Sequence, residues 1–209
     1  MKFKKIKKSV NTHTIEAAIA DFEHKLNFEF VPVIANRSCY TDHISWIISL
    51  YILIILIALP NTWMPTVYLA LLFLLISYFL VQFFDKSDAI NRLFISKKEQ
   101  TKQVQEQAEL YFFRNRLHEI PSHNVLLLYI SVMERQIVLY HDSNITFPEM
   151  KSLNDELLRT LQNSFKQNNF EDGLLSSIKI LSNRLEASFS RPDNPSDVNH
   201  VPNKLIWIN

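Results

Sequence analysis

The chain has 209 residues, with 22 basic and 21 acidic side chains and a net charge of +1, so its charge offers nothing for nucleic acid. Its one cysteine, Cys39, excludes an intramolecular disulfide and a CxxC metal site. Its one glycine, Gly173, stands where ordinary usage of roughly 7% would give about 15, which excludes GxGxxG and Walker-type phosphate cradles.

Lys2, Lys4, Lys5, Lys7 and Lys8 open the chain. This basic tail, residues 1–11, reads equally as a contact for anionic lipid headgroups or as a solvated run. Ile15, Ile19, Phe22 and Leu26 recur at helical spacing. They predict a helix over 12–26 with Glu16, Glu23 and Lys25 left to solvent. Residues 28–35, FEFVPVIA, predict a strand, and Pro32 within it argues for an edge position or a bulge. Polar residues 36–43 follow.

Residues 44–84 contain no Asp, Glu, Lys or Arg. Two apolar arms, 44–59 and 66–84, would be about 24 Å and about 28 Å long as helices. Pro60, Asn61 and Pro65 between them are turn chemistry. Such a run predicts a transmembrane helical hairpin. The alternative is a hairpin buried in a large core. The turn carries no Lys or Arg, whereas Lys25 and Arg37 precede the run and Lys86, Arg92, Lys97, Lys98 and Lys102 follow it. That asymmetry predicts a multi-pass inner-membrane protein with both termini cytoplasmic. The expected partners are the lipid bilayer and a membrane protein, with no nucleic acid. Ser45, Ser49, Ser77 and Gln82 are available for bonds between the two helices.

Residues 85–95 mix charge with Ile90, Leu93 and Phe94, which predicts a short interfacial helix. Val104, Ala108, Tyr111 and Phe112 mark one side of a helix over 97–119, closed by Pro121. Residues 124–132, NVLLLYISV, scarcely alternate and predict a central strand buried on both faces. Residues 136–142 alternate and should pair antiparallel with it. The turn between them lacks glycine, which favours a type I turn with a bulge over type I′.

Thr146, Pro148 and Glu149 form a capping box. It opens a helix carrying Met150, Leu153, Leu157, Leu161 and Phe165. Residues 170–189 are a last helix, with Leu174, Ile178, Leu181, Leu185 and Phe189 as its stripe. A Pro- and Asn-rich tail follows, and residues 205–208 are expected to dock back.

The order helix, strand, hairpin, helix, strand, strand, helix, helix predicts an α/β membrane protein. Its core is a small α/β/α sandwich with a three- to four-stranded mixed sheet, interrupted by the hairpin. The first two strands should be parallel with a right-handed crossover. The implied divisions are a tail at 1–11, a first part of the α/β domain at 12–43, the hairpin at 44–84, the second part at 85–190 and a tail at 191–209.

A Glu-containing strand followed by Ser38-Cys39-Tyr40 and two apolar helices resembles the short membrane-bound bacterial members of the TPM domain family. The stretch 108–145 is similar too, above all residues 125–142, with VLLLYIS, Glu134-Arg135 and the closing Asp142. Gly173-Leu174-Leu175 and Ile178 fit that family's last helix. Asn124 and Ser143 stand where the family usually has glycine, and the lysine run replaces an aspartate motif of its exported members. The resemblance implies an α/β/α sandwich, described in some members as calcium-binding or as an acid phosphatase.

A hydrolytic or metal site would gather carboxylates from different segments, at strand ends. The catalytic candidates are Asp142, Glu29 and Arg135, the last as a bidentate partner for phosphate. The metal candidates are Asp142, Asn144, Asp42 and Glu134, for a divalent cation such as calcium. Asp142, Asn144 and Glu149 hold a fragment of calcium-loop spacing, but read first as turn and capping residues. Glu134 and Arg135 read first as a surface ion pair. The seven histidines have no ligand spacing. Two functions are open: a binding or assembly protein, and a metal-dependent phosphatase-like hydrolase. The residues favour the first.

Overall fold

The computed structural model describes all residues except 1–2, 27, 41, 59–65, 87–91, 93–94, 122–123, 143–148, 168, 190–200 and 209. The chain divides into two compact units. One combines Met1–Ser38 with Thr101–Asn209, and the other is Cys39–Gln100.

The first unit starts with α1, Phe3–Ser9, rather than a structureless tail. Phe3 and Ile6 are buried while Lys4, Lys5, Lys7 and Lys8 are exposed. α2, Thr12–Lys25, is capped by Asn11, whose side chain accepts from the His13 N–H at 3.2 Å. Its buried stripe is Ile15, Ile19 and Phe22, as the spacing predicts.

The sheet comprises β1, Glu29–Ala35; β2, Val125–Ser131; β3, Gln136–His141; and β4, Ile206–Ile208. Its order is β3-β2-β1-β4. β1 runs parallel to β2 and to β4, and β2 runs antiparallel to β3. β1 and β2 are buried along their whole lengths, which is what a near-continuous apolar run requires. Residues 205–208 do return to the sheet. Between β2 and β3, Arg135 takes φ 56°, the left-handed position usually given to glycine.

Pro32 is not on an edge strand. It pairs opposite Leu128 in β1, which has neighbours on both sides. The ladder explains how it is tolerated. Residues on one side of β1 direct their N–H groups away from β2; Asn36 N donates to Ile208 O there. β4 reaches only Val33, Ile34 and Ala35, so it stops short of Pro32 and needs no donor from it.

The helices flank both faces. α5 is Lys97–Arg114, α6 is Met150–Lys166 and α7 is Phe170–Phe189. α1, α2, α6 and α7 pack on Phe30, Ile34, Leu126, Leu128 and Ile130. α5 packs Val104, Ala108 and Phe112 on the other face, against Val31, Val33, Leu127 and Tyr129. α5 ends before the predicted 119: Arg116 turns left-handed at φ 55°, and a 3-10 turn at Leu117–Glu119 follows. The predicted capping box at Thr146 and the interfacial helix near Ile90 lie outside the described residues. α6 starts after Glu149, whose side chain makes no capping bond.

The second unit holds α3, Asp42–Ala58, and α4, Thr66–Lys86, packed on each other. Among the described residues no helix is long and apolar enough to cross a membrane. This corrects the expected transmembrane hairpin, the expected α/β membrane fold class and the expected multi-pass inner-membrane placement. The 17 residues of α3 give about 26 Å, and the charge-free part of α4 about 28 Å, against a hydrocarbon core of about 30 Å. The absence of charge, on which the expectation rested, is not the same as length. Ser77 bonds within its own helix, to Leu74 O at 2.9 Å, rather than across to α3.

Candidate functional site

Two of the stretches that carried the family resemblance, around Ser38 and around Glu134, meet at one end of the parallel pair β1–β2. The strands finish in register, Ala35 opposite Ser131. Just past them, Val132 N donates to Ala35 O and Met133 N to Asn36 O, so the two chains stay side by side beyond the sheet. That brings Ser38 and Glu134 together.

Ser38 N donates to Glu134 Oε1 at 3.0 Å, and Ser131 Oγ donates to Glu134 Oε2. Ser38 Oγ lies 2.7 Å from Ser131 Oγ and 3.3 Å from the Tyr129 hydroxyl. Each hydroxyl has one hydrogen, which fixes the direction. Ser131 spends its proton on Glu134, so Ser38 donates to Ser131, and Tyr129 donates to Ser38. A relay of three hydroxyls therefore ends on a carboxylate that is 2% exposed. Burial pushes the Tyr129 hydroxyl above its ordinary value, the Ser38 bond opposes this, and the Glu134 charge adds to it. The Tyr111 ring of α5 stands 6.4 Å from the Tyr129 ring. Burial raises the Tyr111 hydroxyl as well, with Tyr129 adding to it.

Ser38, Ser131 and Glu134 are all buried. Their chemistry is that of a clasp: a buried carboxylate holds the ends of two strands. Sequence reasoning placed Glu134 as a surface or metal residue and did not join it to Ser131. The available signal was Ser131 itself, a polar group closing the apolar run VLLLYI.

The other candidates are dispersed. Glu29 opens β1 opposite Val125, and Asp142 N donates to Val125 O at 3.4 Å. Glu29 and Asp142 thus flank β2 at one end of the sheet, two strand spacings or about 10 Å apart. Glu134 is at the other end, about 20 Å along β2. Asp42 opens α3 in the second unit. Arg135 is exposed, and its carbonyl accepts from Gln162 Nε2 at 3.4 Å. Asn144 lies outside the described residues. Glu149 pairs with Arg184 at 3.6 Å. Among the described residues no group of three or more His, Cys, Asp or Glu could hold a metal.

A carboxylate that sequence reasoning left to solvent is half-buried. Glu23 Oε1 accepts from Phe30 N at 2.8 Å. Its pKa is pushed up to about 7, by burial first, with Glu29 adding and the bonds from Phe30 and Asn203 opposing.

The second unit presents the largest apolar exposure. Ile47, Leu50, Tyr51, Ile54 and Ile55 are exposed on α3. Tyr68, Leu71, Leu72, Leu75, Tyr78 and Phe79 are among those exposed on α4. On each helix they recur three and four residues apart, the spacing of a stripe.

The sheet and its helices define an α/β protein with a four-stranded mixed sheet. The fold is similar to the NMR structure of the BA42 protein from the psychrophilic bacterium Bizionia argentinensis, at 17% identity and a TM-score of 0.55, over 95% of each chain. That likeness is one of fold. No protein-family model and no curated protein matches the chain.

Proposed function

We propose that this chain is a binding or assembly protein, in which an α/β unit of TPM-like sequence carries an apolar helix pair that engages a partner. The observation that supports this most is the exposure of five large apolar side chains on α3 and seven on α4. Exposed apolar patches much beyond a few hundred Å² mark interaction sites. Residues 44–84 offer no charge, so the partner surface is apolar as well. Stripes at helical spacing suit a helix laid alongside α3 or α4. The clasp of Ser38 and Glu134 fits the same reading, because it fixes the chain where it leaves the α/β unit for the helix pair.

A metal-dependent phosphatase-like hydrolase would need Glu29, Asp142 and Glu134 within reach of one cation. Their positions at opposite ends of β2 argue against it. The test is site-specific photocrosslinking in cells from Ile54 and from Leu72, with adducts identified by mass spectrometry. The proposal expects one protein species crosslinked from both positions and absent from a control at exposed Lys25. Adducts to lipid alone, or none above that control, would overturn the assembly role.

A further inference from the structure

The outer side of α1 is a fixed fan of positive charge. Lys4, Lys5, Lys7 and Lys8 are exposed, and helical geometry spreads them over about 160° of arc. On the opposite side Phe3 and Ile6, with Val10 just beyond, are buried in the core, so the helix cannot roll. No Asp or Glu occurs before Glu16. Among the described residues none of the four lysines pairs with a carboxylate. Glu171, which reaches the chain just past α1, accepts instead from Asn11 N at 2.9 Å. An indole joins the fan. Trp207 of β4 is half-buried, meets the Phe3 ring edge-on at 5.6 Å and has Lys7 Nζ at 5.8 Å from its ring.

We propose that α1, with Trp207 beside it, docks on the surface of an anionic lipid bilayer. The cations are all lysines. Lysine is a point charge without the flat fork by which arginine grips one phosphate or carboxylate in register, so the face suits a diffuse layer of charge. Lysine is depleted at protein–protein interfaces. Clusters of four or more basic residues on a helix are instead the mark of anionic headgroup contact. Trp207 fits the same boundary, because an indole has an apolar body and a polar edge.

Phe3 and Ile6 are committed to the core, so α1 makes no apolar insertion of the kind an interfacial helix makes. The contact is electrostatic. It requires no helix that crosses the bilayer, and it needs nothing from α3 and α4.

The test is co-sedimentation of the full chain with two kinds of vesicle, phosphatidylcholine alone and phosphatidylcholine with one third phosphatidylglycerol. The ratio of the two affinities is read, so that contact of α3 and α4 with neutral lipid cancels. The anionic vesicles should be strongly preferred, and the preference should fade as salt rises. At about fivefold per lysine, Lys4→Gln with Lys5→Gln and Lys8→Gln should lower it roughly a hundredfold. Lys4→Arg with Lys5→Arg and Lys8→Arg, which keeps the charge, should retain it. With Trp46→Phe and Trp63→Phe in place, Trp207 emission should shift to the blue on anionic vesicles and not on neutral ones. Equal binding to both vesicles, a preference that survives in the glutamine variant, or one lost in the arginine variant would overturn the proposal. Binding to soluble poly-glutamate as tight, charge for charge, as to the anionic vesicles would make the partner an acidic polypeptide and overturn it too. Unchanged Trp207 emission would remove that ring from the contact and overturn the proposed geometry.

Discussion

The backbone N–H of Ser38 donates to Glu134 Oε1 at 3.0 Å across 96 residues of sequence. Ser131 supplies the second bond to the same carboxylate. Removing the carboxylate by Glu134→Ala strands the buried Ser38 N–H and the Ser131 hydroxyl. The expected destabilisation is about 2–4 kcal/mol, since buried donors left without acceptors lose their full desolvation energy. Urea unfolding measures it. Ser131→Ala should cost about 1–2 kcal/mol. Combined with Ser38→Ala it should fall short of additivity, because both substitutions break one relay.

Gly173 is a point of close approach between α7 and α6. A Cβ there would run into Ser164 Cβ and Oγ. Ser164 is itself held by a bond to Thr160 O at 3.0 Å, so it cannot swing aside freely. Gly173→Ala should destabilise by about 1–3 kcal/mol despite its better helix propensity. Gly173→Ala combined with Ser164→Gly should recover most of that loss in thermal melts.

Much of this unit is legible in the sequence. The unbroken run at 124–132 reads as a central strand, and β2 within it is one. The stripe from Leu174 to Phe189 gives α7 to the residue. Pro32 misleads because the sequence does not say that β4 ends one residue short of it. Glu23 misleads because it flanks the Ile19–Phe22 stripe, and its bonding partners, Phe30 and Asn203, come from later in the chain. Residues 44–84 mislead in another way: absence of charge suggests a membrane span, whereas among the described residues no helix is long and apolar enough for one. The carboxylate candidates Glu29, Asp142 and Glu134 lie at or near strand ends, but a sheet has two ends, and Glu29 and Asp142 sit at the one opposite Glu134.

Glu23 makes stability depend on pH. Its folded value of about 7 lies above its ordinary 4.5. Between the two, the folded chain holds a proton that the unfolded chain has lost. This contribution is complete below pH 4.5 and drains away as the pH rises through 7. Unfolding free energies at pH 4.5, 6 and 7.5 should therefore decline, and Glu23→Gln should flatten that decline.

Calcium should leave the thermal midpoint unchanged. A cation that binds only the folded chain raises its stability, and Glu29, Asp142 and Glu134 are too far apart to share one. A rise in the midpoint that vanished in Asp142→Asn would restore a metal site at the end of β3.

The apolar stripe of α4 tests the account most directly. Leu71 and Leu75 are exposed, so Leu71→Lys with Leu75→Lys adds charge without opening a core. Quantitative co-purification from cells, normalised to the unaltered chain, is the measurement. The account predicts that partner recovery falls at least tenfold while the thermal melt of the α/β unit is unchanged. Full recovery of the same partners by the doubly charged variant would contradict it.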